Sequence, residues 1–149
     1  MKDTFSIKGK LHIELFDKDG KLKDERKTHN AVTADGLAGV MDQCLASPSL
    51  PKAAWMELGT GNEVTTKKLE TVIANSRHAV SPATARTGAV VTYLHTWAAG
   101  EATNAAITEA GLFDVVTADT ANAWCYATFA AIAKGANDTL AITWTLTIS

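Results

Sequence analysis

Period-two alternation of apolar and polar side chains marks both ends of the chain. Residues 140–149 read Leu-Ala-Ile-Thr-Trp-Thr-Leu-Thr-Ile-Ser, with Leu140, Ile142, Trp144, Leu146 and Ile148 on one face and Ala141, Thr143, Thr145, Thr147 and Ser149 on the other. Such alternation predicts a strand with one face buried. A large apolar side chain is worth roughly 1.5–3 kcal/mol only when it enters a core, so these residues belong to a sheet and not to a loose tail. Near the start, Phe5, Ile7, Leu11, Ile13 and Leu15 alternate with Ser6, Lys8, Lys10, His12 and Glu14. A long first strand is expected there, with Gly9 marking a bulge or a close backbone approach. Asp17-Lys18-Asp19-Gly20 carries hairpin-turn chemistry, and the polar residues 21–30 that follow are expected to form an edge strand protected by charge.

The period changes once. Leu37, Val40, Met41, Cys44 and Leu45 recur at helical spacing behind the capping residue Thr33, predicting one short helix near residues 34–46. Gly36 and Gly39 each lower its helix propensity by roughly 1 kcal/mol, so something is expected to pack closely against them. Pro48 and Pro51 end it. An apolar run at 54–58 stops at Gly59-Thr60-Gly61-Asn62, residues 64–68 read as polar loop, and 69–80 fits either a short helix or an irregular strand. After Ser81-Pro82 and a small-residue stretch to Gly88, strands are expected at 89–97, 106–116 and 124–132, separated by turns at 100–104, 119–122 and 134–138. Apolar groups of both parities at 124–132 predict a strand covered on both faces. Strands joined by turns, with a single early helix, predict a mainly β fold, an antiparallel β-sandwich or jelly-roll-like arrangement, in one domain spanning residues 1–149.

Composition narrows the possible partners. A chain of 149 residues buries a sizeable core without staples, and no apolar run is long enough to cross a bilayer as a helix, so no membrane partner is expected. A formal net charge of -2 argues against direct nucleic-acid binding, which needs clustered cations over phosphates. Cys44 and Cys125 stand in no metal or redox spacing and are expected as buried small hydrophobes. The first ten residues lack the apolar stretch of a secretion signal, which points to assembly in a reducing cytoplasm.

Candidate chemistry is sparse. Gly59 and Gly61 lack the Gly-Lys-Ser/Thr or third glycine of a phosphate loop, and read as a tight turn after a strand. His12, His29, His78 and His95 are scattered one to a segment, with no metal-ligand spacing. Glu101 and Glu109 could pose as an acid/base pair, but loop capping or an ion pair with Arg77 or Arg86 is the favoured reading. Asn137-Asp138-Thr139 matches a glycosylation sequon that has no meaning without secretion. Trp55, Trp97, Trp124 and Trp144 suggest a sugar-stacking platform, yet Trp144 and Trp124 fall where the pattern reads as core. No catalytic, cofactor-binding or metal-ligating residue is assigned, no cofactor is expected, and the chain is not expected to be an enzyme. The Thr and Ala faces of the late strands are small, uncharged and suited to packing flat against neighbouring subunits.

Three segments carry a family resemblance. The first runs from the initial strand through Asp17-Lys18-Asp19-Gly20 to Asn30-Ala31-Val32-Thr33 and Gly36-Leu37. The second holds Leu58-Gly59-Thr60-Gly61, the Thr65-Thr66 pair, Leu69 and Arg77. The third holds Gly100-Glu101-Ala102, residues 107–113 (Ile-Thr-Glu-Ala-Gly-Leu-Phe), Ala127-Thr128-Phe129 and residues 140–146. In this order they resemble small virion structural proteins of tailed bacteriophages. The resemblance implies a non-enzymatic β-sandwich subunit of the particle, assembled in the host cytoplasm. One station it implies is capsid decoration, a cement protein that binds and stabilises the outer head shell; the other is a tail, baseplate or fibre-attachment subunit. It implies the major capsid protein or another virion subunit as partner, together with further copies of the chain, and transfers no site residues. A carbohydrate-binding β-sandwich module is the alternative that the tryptophans keep open.

Overall fold

The two alternating ends of the chain pair with each other. The computed structural model describes residues 6–62, 68–82, 87–117 and 122–149. Among them the elements run β1 (Ile7–Phe16), β2 (Leu22–Val32), α1 (Ala34–Asp42), β3 (Trp55–Gly59), β4 (His78–Ala79), β5 (Ser81–Pro82), β6 (Val90–Trp97), β7 (Asn104–Phe113), β8 (Ala123–Lys134) and β9 (Thr139–Ile148). The fold is mainly β with one short helix, as the pattern predicts. Phe5, the Thr65-Thr66 pair, Arg86 and the start of the expected 119–122 turn lie outside the described residues.

All neighbours in the sheet are antiparallel, in the order β4-β3-β7-β8-β2-β1-β9-β6-β5. The two outermost strands in that order are one stretch of chain, because only Val80 separates β4 from β5. Trp55 and Met56 pair with Ala79 and His78, the Val80 amide donates to the Ala54 carbonyl (2.8 Å), and Ser81 and Pro82 pair with Leu94 and Tyr93. The stretch 78–82 thus pairs first with one side and then with the other. Counting it once leaves eight strands nearly closed into a barrel. Ser81-Pro82 is therefore itself part of a strand, ahead of the 89–97 strand with which the sequence pattern resumes, and residues 69–77 form irregular chain leading into β4.

Alternation then sorts side chains between inside and outside. Leu11, Ile13 and Leu15 of β1 face the interior with Leu140, Ile142, Trp144 and Leu146 of β9, joined by Trp97, Met56, Leu58, Ile107, Leu112 and Ile132 from the other strands. Gly9 is the close approach expected of it: a Cβ there would occupy the space of the Asn30 side chain, whose Oδ1 accepts from Trp144 Nε1 at 3.0 Å. The strand expected at an edge, β2, is flanked on both sides at its end, pairing with β8 through Ala31 and Val32.

The outer face of β3, β7 and β8 is also covered, as the double parity of β8 predicts. Leu69, Phe113, Ala123 and Tyr126 form a second apolar cluster against Trp55, under the chain leading to β4. Helix α1 docks the opposite way from its periodicity. Its buried residues are Gly36 and Gly39, and both lie against Trp124, where a Cβ on Gly36 would collide with the Trp124 carbonyl and one on Gly39 would stand 2.5 Å from the indole. Thr33 caps the helix, accepting from the Gly36 amide at 2.9 Å, and its own amide donates to the Trp124 carbonyl at 3.0 Å. The close packing expected at Gly36 and Gly39 is thus met by Trp124, and of the expected apolar stripe only Val40 packs against the core: Leu37, Met41 and Leu45 are 41, 57 and 59% exposed, and Cys44, expected to be buried, is exposed. Cys125 is buried as expected, and both cysteines are free.

Candidate functional site

The most catalytic-looking side chains of the described residues serve as structural pins. Glu109 projects from β7 onto the covered outer face and is fully buried. Its Oε1 accepts from the amides of Gly61 (2.9 Å) and Thr71 (3.0 Å), and its Oε2 from the amide of Glu70 (3.2 Å) and the Tyr126 hydroxyl (2.5 Å). The carboxylate therefore fastens both arms of the loop between β3 and β4, which is the capping half of the two roles, capping or an ion pair, that the sequence leaves open. Glu101 likewise accepts from the Ala98 amide in its turn (2.8 Å). Arg77 pairs with neither. It meets Glu57 on β3 through two bonds, Nε to Oε1 at 3.1 Å and Nη2 to Oε2 at 2.8 Å, with 9 and 3% of the two side chains exposed. Nη1 of Arg77 donates to the Val115 carbonyl at 2.8 Å, and its guanidinium stacks 4.2 Å over the Phe113 ring. Sequence reasoning missed this pair and the buried Lys134, which donates to the Ala98 carbonyl at 2.9 Å. The available signal was a lone charge inside an otherwise apolar strand, as in Trp-Met-Glu-Leu of β3.

The histidines divide between two places. On the outside of the barrel, His12 Nε2 contacts Glu25 Oε1 at 2.5 Å and Nδ1 lies 3.8 Å from Glu14. His12 first and Lys27 second hold the Glu25 carboxyl below its ordinary range. At the closure of the barrel His78 and His95 lie tilted by 43° with ring centroids 4.8 Å apart, and His95 meets Trp97 edge-on at 4.7 Å. Burial and then the charge of His78 push the His95 pKa down, against an opposing pull from Glu101. Among the described residues no group of three or more His, Cys, Asp or Glu could hold a metal ion.

Three indoles are inside: Trp97, Trp124 and Trp144 are at most 6% exposed, leaving Trp55 half-buried. What the surface offers is two presented faces. The outer face of β1, β9 and β6 is a grid in register, with rows Lys10-Thr145-Thr92 and His12-Thr143-Leu94, and Leu94 is 53% exposed at its far side. An open depression of about 440 Å³ lies over it, lined by Lys10, His12, Lys27, His29, Thr143 and Thr145 among others. The second face is the apolar ridge of α1. Beside it runs a shallow groove of about 140 Å³ lined by Val40, Tyr93, Trp124, Val91, Leu146 and Ile148 among others. Flat small-residue surface and exposed apolar surface are suited to binding another macromolecule. Comparison with protein-family models, with curated proteins and with solved structures finds no match to this chain.

Proposed function

We propose that this chain is a structural subunit of a tailed-bacteriophage virion, acting by adhesion and not by catalysis, and that it decorates the outer head shell as a cement protein. The observation that carries the reading is the outer face of β1, β9 and β6, where Thr143, Thr145 and Thr92 make a small-residue surface in register. The threonines bury with little side-chain entropy, and Lys10 and His12 at the head of the same rows add polar contacts, which suits a subunit held by many weak contacts. The order of motifs in the sequence supports the phage assignment. Commitment of Glu109 and Glu57 to backbone amides and to Arg77 supports a non-enzymatic role. In this reading the nearly closed barrel is a flattened sandwich or jelly-roll-like body, the partner is the major capsid protein or another virion subunit, and copies of the chain associate with one another. Neither nucleic acid nor membrane is a direct partner.

Fractionation of purified virions into heads and tails, followed by quantitative mass spectrometry, tests the reading. Recovery with heads, at copy numbers on the scale of the major capsid protein, is the expected result. Recovery with tails at low copy number would move the chain to the tail, baseplate or fibre-attachment alternative, and absence from both would refute the virion reading. The sugar-binding alternative loses its platform, since three of the four indoles lie in the interior.

A further inference from the structure

The outer face of β1 and β2 carries cations that the chain does not neutralise. From the paired registers its rows run Lys8-Thr147, then His29-Lys10-Thr145, then Lys27-His12-Thr143, then Glu25-Glu14-Ala141. The carboxylates of the last row are met from within the face: His12 lies 2.5 Å from Glu25 and 3.8 Å from Glu14, and Lys27 lies 3.1 Å from Glu25. Lys8, Lys10 and His29 have no side-chain partner among the described residues. Lys8 and Lys10 leave the same face two residues, about 6.7 Å, apart, and His29 stands directly across from Lys10. Bases set side by side on one face of a sheet weaken it. The chain has 16 acidic residues against 14 basic ones, yet sets none of the acids in these first two rows. The surface is also concave here. The open depression of about 440 Å³ lies over the His29-Lys10 and Lys27-His12 pairs, walled by Thr143 and Thr145.

We propose that this depression seats an acidic segment of the protein partner, a small cluster of Asp or Glu carboxylates that Lys8, Lys10 and His29 meet with charge or an N–H and Thr145 with its hydroxyl. The positive patch is short in both directions. Along the strands it ends at the Glu25-Glu14 row, and across them it gives way to the uncharged Thr145 and Thr92. A nucleic-acid backbone carries charge continuously and would run onto the acidic row, whereas a compact carboxylate cluster fits within the patch. An open depression on a flat sheet also suits a protein surface better than a small ligand, which is bound in an enclosing cleft. Complementary charge of this kind fixes orientation and speeds encounter more than it adds affinity. The assignment deepens the proposed adhesive role of this face by giving its partner a chemistry, and rests on that reading only for the partner being a protein.

Amide NMR titration of the isotopically labelled chain with hexaglutamate in low salt provides the test. Saturable shifts centred on residues 8–12, 27–29 and 143–147 are expected, with a dissociation constant of about 0.1–2 mM. The double variant Lys8→Gln/Lys10→Gln alters exposed side chains and is expected to fold as wild type and bind about 3–20-fold more weakly. Lys18→Gln/Lys21→Gln makes the same change in net charge at the far end of the β1-β2 hairpin and is expected to shift binding less than about 2-fold. Raising the salt to about 300 mM should weaken wild-type binding at least about 5-fold. No saturable shift, shifts spread over all the lysines, or equal losses in the two double variants would each overturn the proposal. Tighter binding of hexathymidylate at the same residues would overturn it too, by making the occupant a nucleic acid. All of these are read on the isolated chain, so the virion fractions decide the proposed function separately.

Discussion

Replacing Glu109 with Gln changes one atom and should remove much of the hold on the chain between β3 and β4. The carboxylate accepts four hydrogen bonds, from the amides of Gly61, Thr71 and Glu70 and from the Tyr126 hydroxyl. A glutamine carbonyl at the Oε1 position keeps Gly61 and Thr71 without the charge that strengthens those bonds. Its NH₂ group then faces two donors. The Tyr126 hydroxyl can turn to accept, whereas the Glu70 amide is left pointing at another N–H. Bonds to a charged acceptor contribute about 1.5–3 kcal/mol and a stranded donor costs about 1–3, so the net loss is about 2–4 kcal/mol. Tyr126→Phe removes the hydroxyl that donates to Glu109 and should cost about 1–2 kcal/mol. Because both changes break the same contact, the double variant should fall short of the sum by about 0.5–2 kcal/mol. Urea unfolding followed by tryptophan fluorescence reads all three values, since Trp97, Trp124 and Trp144 are buried. A Glu109→Gln loss below about 1 kcal/mol, or strict additivity with Tyr126→Phe, would refute the view that this carboxylate pins the loop.

Two further outcomes separate competing effects. Gly36→Ala should raise stability by about 1 kcal/mol if helix propensity governs, and lower it by about 1–3 if contact with the Trp124 carbonyl governs; the structure requires the second sign, readable by thermal denaturation. For pH, burial and His78 hold the folded-state pKa of His95 below its ordinary 6.5, so the unfolded chain binds the proton more readily. Stability is then full above 6.5 and declines as pH falls toward the depressed folded value. Asp138, Asp24 and Asp42 titrate below their ordinary value and lose their contribution only at more acidic pH. Urea midpoints between about pH 7 and pH 5 should fall in the wild type and flatten in His95→Gln, and an identical slope in both would rule out His95 as the source.

What the chain pattern discloses depends on the range of the interaction. Strands β1 and β9 are legible because alternation is local and each carries its own buried face. The same period placed α1 correctly and its orientation wrongly. Leu37, Met41 and Leu45 look like the docking face and stay outside, whereas the glycine pair Gly36 and Gly39 marks the face where something packs closely, and only the identity of the distant Trp124 that fills it is beyond a local pattern. Closure through residues 78–82 was illegible because those two short pairings are set by strands distant in sequence. The buried polar pins show an intermediate case. For Glu109 the sequence leaves loop capping and an ion pair with Arg77 or Arg86 both open, and the structure selects capping, whereas Glu57 and Arg77 meet only because β3 and the chain leading into β4 fold side by side.

The place of β9 between β1 and β6 bears on how the protein is made. While residues 139–148 are still inside the ribosome, β1 and β6 each lack the partner that joins them, so the sheet stays open between them and the interior lacks Leu140, Ile142, Trp144 and Leu146. Vectorial synthesis therefore yields an open, sticky nascent sheet until the last strand emerges, and its arrival joins two strands made at very different times.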